Sequence, residues 1–311
     1  MQILSSTRRA AAVTFLREQG RPLDYALYRF EFESGDLGAV LDELAAYRND
    51  DGGYGHALEP DAVVSASSVL DTTHALQVLR RIRATRDEPQ VRDAMRFLRE
   101  SFNREHGVWP IRPFASAGVV CAPWWKAEDA AQWAARMAEG RLNPTAEVLG
   151  YLIEYAADAD AARADEVAGR VRRWVDEAAS PMDGHDLLCL ARLTRTAGID
   201  EQWRDELVAR VRGDVALRIE EDPAKWDGYG LKPWWIGETP DDSVLGGVEP
   251  ALVEAMLDHE IGRQEDDGGW PPFWDWGGLH PEAWPAARQA WKSVLTEHML
   301  RVLRDFGRLA D

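Results

Sequence analysis

A chain of 311 residues, 45% of them hydrophobic, is long enough for one large core or two small ones. Its formal net charge of −18 excludes nucleic acid and an anionic membrane surface as main partners, because both would repel it. The 14 Trp, against 8 Phe and 7 Tyr, call for a big core, a lined cavity or both, since indole is the largest apolar side chain.

The N-terminal stretch MQILSSTRRAAAVTFLREQG has arginines inside it and lacks a long apolar core or a small-residue cleavage pattern. Nowhere does the chain approach roughly 18 apolar residues without charge. The expectation is a cytoplasmic chain with no integral membrane segment. In chain order, apolar residues at three- and four-residue intervals predict helices near 7–19, 36–48, 66–83, 88–103, 143–157, 162–179, 183–197, 200–220, 249–264 and 286–306. Within 66–83 the stripe is Val69, Thr73, Leu76, Leu79 and Ile82. Within 162–179 it is Val167, Val171, Trp174 and Ala178. No alternating strand pattern is present, so the fold class is all-α. Cys121 and Cys189 stand in no metal-binding or redox spacing, which argues against a disulfide framework and a metal site.

A repeat organises the chain. LDELAAYRNDDGGY at 41–54 aligns without gaps on LDHEIGRQEDDGGW at 257–270. Each copy reads as a helix stopped by a Gly-rich turn, closed by an aromatic, Tyr54 or Trp270. Weaker copies of the turn are Glu105-His106-Gly107-Val108-Trp109 and Trp226-Asp227-Gly228-Tyr229-Gly230. Because Asp50-Asp51 recurs as Asp266-Asp267, these acids read as architectural, bonded to turn amides and helix ends. Three segments break the helical rhythm and read as functional loops: 104–142, 222–248 and 271–285. The first two each carry a Pro-Trp-Trp step, Pro123-Trp124-Trp125 and Pro233-Trp234-Trp235. No interdomain linker is evident, so a single domain over 1–311 is expected.

Gln264-Glu265-Asp266-Asp267-Gly268-Gly269-Trp270 is similar to the "QW" repeat of squalene–hopene and oxidosqualene cyclases. Ser67-Ser68-Val69-Leu70-Asp71-Thr72-Thr73-His74-Ala75-Leu76 and Asn143-Pro144-Thr145-Ala146-Glu147 look like the helix openings that follow such turns. The chain thus resembles the terpenoid-cyclase/prenyltransferase superfamily as a single-toroid relative. The resemblance implies an α/α toroid of about five to six helical hairpins. It also implies acid-initiated cyclisation of a small hydrophobic substrate, an isoprenoid, with no cofactor. The Asp-x-Asp-Asp acid motif of class II cyclases is incomplete: Ser68-Val69-Leu70-Asp71 keeps the last acid, and Thr239-Pro240-Asp241-Asp242 keeps the last two. The zinc ligands of protein prenyltransferases and the Asp-Asp-x-x-Asp of class I synthases are absent.

The leading proton donor is Asp241 with Asp242 tuning it, since paired carboxylates beside Trp234 and Trp235 can have one pKa raised. The alternative is an N-cap for the helix near 249. Second choices are Glu59, Asp61 and His74. Glu59 and Asp61 lie with His56 in His56-Ala57-Leu58-Glu59-Pro60-Asp61, where either acid alternatively caps the next helix. Asp71 and His74, three apart on one helical face, form either a proton-transfer pair or a satisfied polar pair. Trp133 and Trp174 read as core. Trp109, Trp124, Trp125, Tyr229, Trp234, Trp235, Trp270, Trp274 and Trp276 are candidates to line a substrate cavity, where ring faces stabilise cations. The same rings stack on sugars, so a glycan-active α/α barrel is the alternative enzyme. A catalytically silent, ligand- or partner-binding toroid is the third reading.

Overall fold

The computed structural model describes residues 1–114, 119–139, 141–155 and 161–310. Every extended regular element among them is a helix, and no strand is present, in agreement with the all-α expectation. Helices α1 (Ser6–Gln19), α2 (Pro22–Phe32), α3 (Leu37–Ala45), α4 (Val69–Arg81) and α5 (Pro89–Glu100) come first. They are followed by α6 (Ala130–Glu139), α7 (Thr145–Tyr155), α8 (Ala161–Glu177), α9 (Gly184–Thr194) and α10 (Glu201–Arg218). The last are α11 (Pro233–Ile236), α12 (Pro250–Arg263) and α13 (Trp284–Asp305).

Local chemistry explains the boundaries. Ser5, Ser68 and Asp183 cap α1, α4 and α9 by accepting first-turn amides. Prolines stand in the first turns of α2, α5, α12 and α13, where a missing N–H costs nothing. Three helices escape the periodicity reading: α2, α6 and the short α11, which lies inside 222–248. Helix α2 buries Leu23, Leu27 and Tyr28, but its stripe is interrupted by polar residues. Helix α6 falls inside 104–142, so that segment is not irregular throughout. Its Trp133 and Met137 are buried four residues apart. The predicted Trp174 of α8 is likewise buried.

The chain divides into two compact units, Met1–Leu44 with Val215–Asp311, and Ala45–Asp214. In the first, α1, α2 and α13 pack on one another. The chain ends meet there: Leu4 N donates to Arg308 O at 2.8 Å and Ala310 N donates to Leu4 O at 3.0 Å. The Arg308 side chain is fully buried against Gln2 O, Glu254 and Asp258. In the second unit, α7 is central, packed against α5, α8 and α9, with α4 against α5 and α7.

The sequence repeat is a structural repeat down to its hydrogen bonds. Asn49 N donates to Gly53 O and Glu265 N to Gly269 O, both at 2.9 Å. Asp51 Oδ1 accepts from Gly53 N at 2.9 Å, and Asp267 Oδ1 from Gly269 N at 3.0 Å. Gly52 and Gly268 hold φ of +89° and +95°, conformations that disfavour side chains. The closing aromatic then docks on the next helix. Tyr54 N donates to Thr72 Oγ1 (3.1 Å), Trp270 N to Thr296 Oγ1 (2.9 Å) and, in a third copy, Trp109 N to Thr145 Oγ1 (3.4 Å). The indoles of Trp109 and Trp270 donate to Leu98 O and Glu260 O on the helix before each turn.

Candidate functional site

The threonine that receives each turn fixes the register of the helix behind it. Thr72 therefore places Asp71, His74 and Gln77 along one face of α4, and Thr145 places Glu147 and Tyr151 on α7. In the 45–214 unit these residues organise two polar centres joined by α4.

The first centre is built on Asp71. Its carboxylate accepts from Glu59 N at 2.9 Å and from the Ser68 hydroxyl, and it pairs with Arg112 Nη1 at 2.9 Å. Arg112 Nη2 reaches Glu59 Oε2 at 2.5 Å. Glu59, Asp61, Asp71 and Arg112 are all buried, at 5%, 4%, 1% and 5% exposure. Burial, aided by the charges of Asp61 and Asp71 and opposed by Arg112, pushes the Glu59 carboxyl up to about 8. Arg112 is paired with both Glu59 and Asp71, and burial of Glu59 beside the charges of Asp61 and Asp71 favours its protonated form.

Arg112 also lines a cleft of about 260 Å³ whose other walls include Pro110, Pro113, Phe114, Trp133 and Met137. The Trp125 ring lies 5.3 Å from the Arg112 guanidinium, and Trp133 Nε1 donates to Arg112 O at 2.9 Å. Arg112 Nε and Trp125 Nε1 are buried without a hydrogen-bond partner among the described residues.

The second centre is held by Glu147, itself 2% exposed. It accepts from Gln77 Nε2 and Arg192 Nη1 at 2.8 Å and from Tyr151 OH at 2.7 Å. Burial alone would raise Glu147, but Arg192, Tyr151 and Gln77 outweigh it and hold it below the usual carboxylate range. Burial first, then the charge of Arg192, depresses His74 to about 4, so the imidazole is neutral. Asp186, at the start of α9, is raised to about 6 by burial and by Asp183. Cys189 lies in the same centre, and burial lifts its thiol well above the ordinary range. Cys121 and Cys189 are both free.

The remaining expected site residues fall elsewhere. Asp241 is exposed, and Asp242 accepts from Val244 N and Glu238 N at 3.2 Å. It caps the short 3-10 turn Ser243–Leu245 rather than α12, whose cap position is Glu249. Asp242 thus serves the turn, and Asp241 stands in solvent. Likewise α4 is capped by Ser68, so Glu59 and Asp61 are not its caps. Asp71 and His74 do not bond to each other, because both Asp71 oxygens are engaged by Glu59 N, Ser68 and Arg112. His56 is exposed, at 2.9 Å from Asn49 Oδ1 within the repeat turn.

Four of the expected cavity aromatics are instead packed inside: Trp109, Trp234, Trp270 and Trp276, at 0%, 3%, 1% and 1% exposure. For Trp109 and Trp270 the cause is the indole bond to the preceding helix. Trp124, Trp125, Trp235 and Trp274 keep part of their surface, and Tyr229 is 61% exposed. Tyr229, Trp235, Phe273, Trp274 and Trp291 form an edge-to-face series in the other unit, away from the residues of either centre in sequence.

Sequence reasoning did not find Arg112, Gln77, Glu147, Tyr151 or Arg192. Glu147 was within reach: it stands two residues after Thr145, as His74 stands two after Thr72. Arg112 had no such signal, since it follows Trp109 in a non-repetitive loop. Among the described residues no group of three or more acids, histidines and cysteines is arranged to hold a metal ion, and no helix is long and apolar enough to cross a membrane. No protein-family model and no curated protein sequence matches this chain, so its functional reading rests on the geometry of these two centres.

Proposed function

We propose that this chain is a terpenoid-cyclase-like enzyme of α/α-toroid type, which starts cyclisation of a hydrophobic isoprenoid with a proton from Glu59. The observation that carries the proposal is the buried Glu59 carboxyl, paired with Arg112 beside Asp71 and raised to about 8. Acid catalysis near neutral pH needs a carboxyl that still holds its proton, and burial among like charges is the means of keeping it there. When Glu59 gives its proton to a substrate carbon–carbon double bond, the resulting glutamate is stabilised by Arg112, and the positive charge passes to carbon. Loss of a proton from the cyclised cation completes an isomerisation without any net redox change. The apolar cleft beside Arg112 suits a hydrocarbon chain, and Trp133, which lines it, offers a ring to a cation, on the order of 0.5–2 kcal/mol. No step needs a cofactor.

Replacing the acid without changing its shape tests the reading. Glu59→Gln should fold, retain binding of an isoprenoid or its aza-analogue, and lose turnover by roughly 10²-fold or more. Asp241→Asn should keep full activity, because that carboxylate is exposed. Undiminished turnover in Glu59→Gln would remove Glu59 from the chemistry. A parent protein inert on isoprenoids but binding oligosaccharides would transfer the case to the glycan-active barrel.

A further inference from the structure

The centre around Glu147 is not used by the acid chemistry, and its donors are unevenly spent. Glu147 is saturated by Gln77, Tyr151 and Arg192. Arg192 gives it only Nη1; its Nε and Nη2 make no hydrogen bond among the described residues, and its side chain is 31% exposed. His74, one turn before Gln77 on the same face of α4, makes no hydrogen bond among the described residues and keeps part of its surface accessible. A planar guanidinium edge and an imidazole thus stand unpartnered near one saturated carboxylate, with accessible surface instead of packed core.

We infer that His74 and Arg192 form a binding site for a small monocarboxylate ligand. The free Nε/Nη2 edge of Arg192 matches the two oxygens of a carboxylate, and His74 supplies a further N–H. The charges argue for one negative charge, not two. The charged groups acting on His74 are Arg192, Asp71, Glu147 and Arg112. Arg192 is neutralised by Glu147, and Arg112 is already shared by Asp71 and Glu59. An incoming carboxylate therefore needs one new positive charge, which a proton taken up by His74 supplies. A dianion such as sulfate would need a second, and the groups acting on His74 include no further cation to supply it. The inference stands apart from the cyclase reading, since it uses none of the Glu59 chemistry.

The test uses the full chain at pH 6 with sodium acetate as probe, and sodium sulfate and sodium chloride as comparisons. The His74 imidazole signal, assigned by its loss in His74→Gln, should move saturably toward its protonated position with acetate. For His74 to hold the proton at pH 6, its pKa must rise from about 4 by at least about two units, within the scale of an opposite charge at close range. Calorimetry on the unaltered protein should show proton uptake, as a binding enthalpy that changes with the ionisation enthalpy of the buffer. That measurement decides the matter even if His74→Gln fails to fold. Arg192→Lys keeps the charge but loses the planar edge, and should weaken acetate at least about tenfold. Absence of a saturable acetate effect, or equal binding in Arg192→Lys, overturns the site. Tighter binding of sulfate than of acetate overturns its assignment to a monocarboxylate.

Discussion

In the turn at 49–54 the Tyr54 amide docks on Thr72, and in the turn at 265–270 the Trp270 amide docks on Thr296. From those threonines onward the two helices run in register, Thr72-Thr73-His74 against Thr296-Glu297-His298. Yet the residues before them differ. Where α4 has Ser68 and Asp71, α13 has Lys292 and Leu295. Lys292, 2% exposed, turns back to Glu265 and to Asp267 (2.5 Å) of its own turn, so its charge is consumed by the repeat itself. Ser68 instead supports Asp71, whose carboxylate faces Arg112 and Glu59. The same scaffold holds a self-contained ion cluster in one unit and a buried, proton-retaining acid in the other. Repetition makes the architecture, and departures from it make the chemistry.

The largest expected difference between the copies is in their response to pH. Glu59 is raised in the folded protein to about 8, against an unfolded value near 4.5. Between these values the unfolded chain has released a proton that the folded chain keeps. This contribution is therefore complete below about pH 4.5 and is lost as pH rises to about 8, at up to about 1.4 kcal/mol per unit. His74 acts oppositely: its depressed value, about 4, removes stability as pH falls from about 6.5. The two offset each other between about pH 5 and 6.5, so denaturant unfolding should show a stability that falls from about pH 6.5 to 8, and Glu59→Gln should remove that fall. Parallel curves for the two proteins would contradict a retained proton on Glu59.

What the copies share should respond alike. A Cβ on Gly52 would lie 2.5 Å from Asp93 O, and one on Gly268 would lie 2.4 Å from the Ala11 backbone, both at positive φ. Gly52→Val and Gly268→Val should each cost on the order of 2–4 kcal/mol from strain and overpacking together. If both variants melt like the parent, these turns do not set the fold.

The smallest effects separate the two supports. Ser68→Ala removes a helix cap and a hydrogen bond to a buried carboxylate, which should cost about 2 kcal/mol. Lys292→Met keeps the packed stem and leaves Glu265 and Asp267, 38% and 35% exposed, to be hydrated. Its cost should be about 1 kcal/mol. Thermal melts in which Lys292→Met is the more damaging would reverse the assignment of roles.

The amino-acid sequence by itself determined ten of the thirteen described helices, because their 3.6-residue stripes are local, and it determined the turns, because the Asp-Asp-Gly-Gly motif contains the atoms that close them. It also placed Glu59, Asp61, Asp71 and His74 among the candidates, as polar residues beside a repeat. Tertiary structure alone decided which acid keeps a proton. Asp241 and Asp242 sit beside tryptophans in sequence, yet one is exposed and the other is spent on a cap. Glu59 is raised because the fold buries it beside Asp61 and Asp71, which outweighs the opposing charge of Arg112, 53 residues away. Likewise Trp109 and Trp270 occupy turns but bury completely, through bonds to carbonyls on the preceding helices. Charge balance and burial are sums over distant neighbours, and no window of sequence contains them.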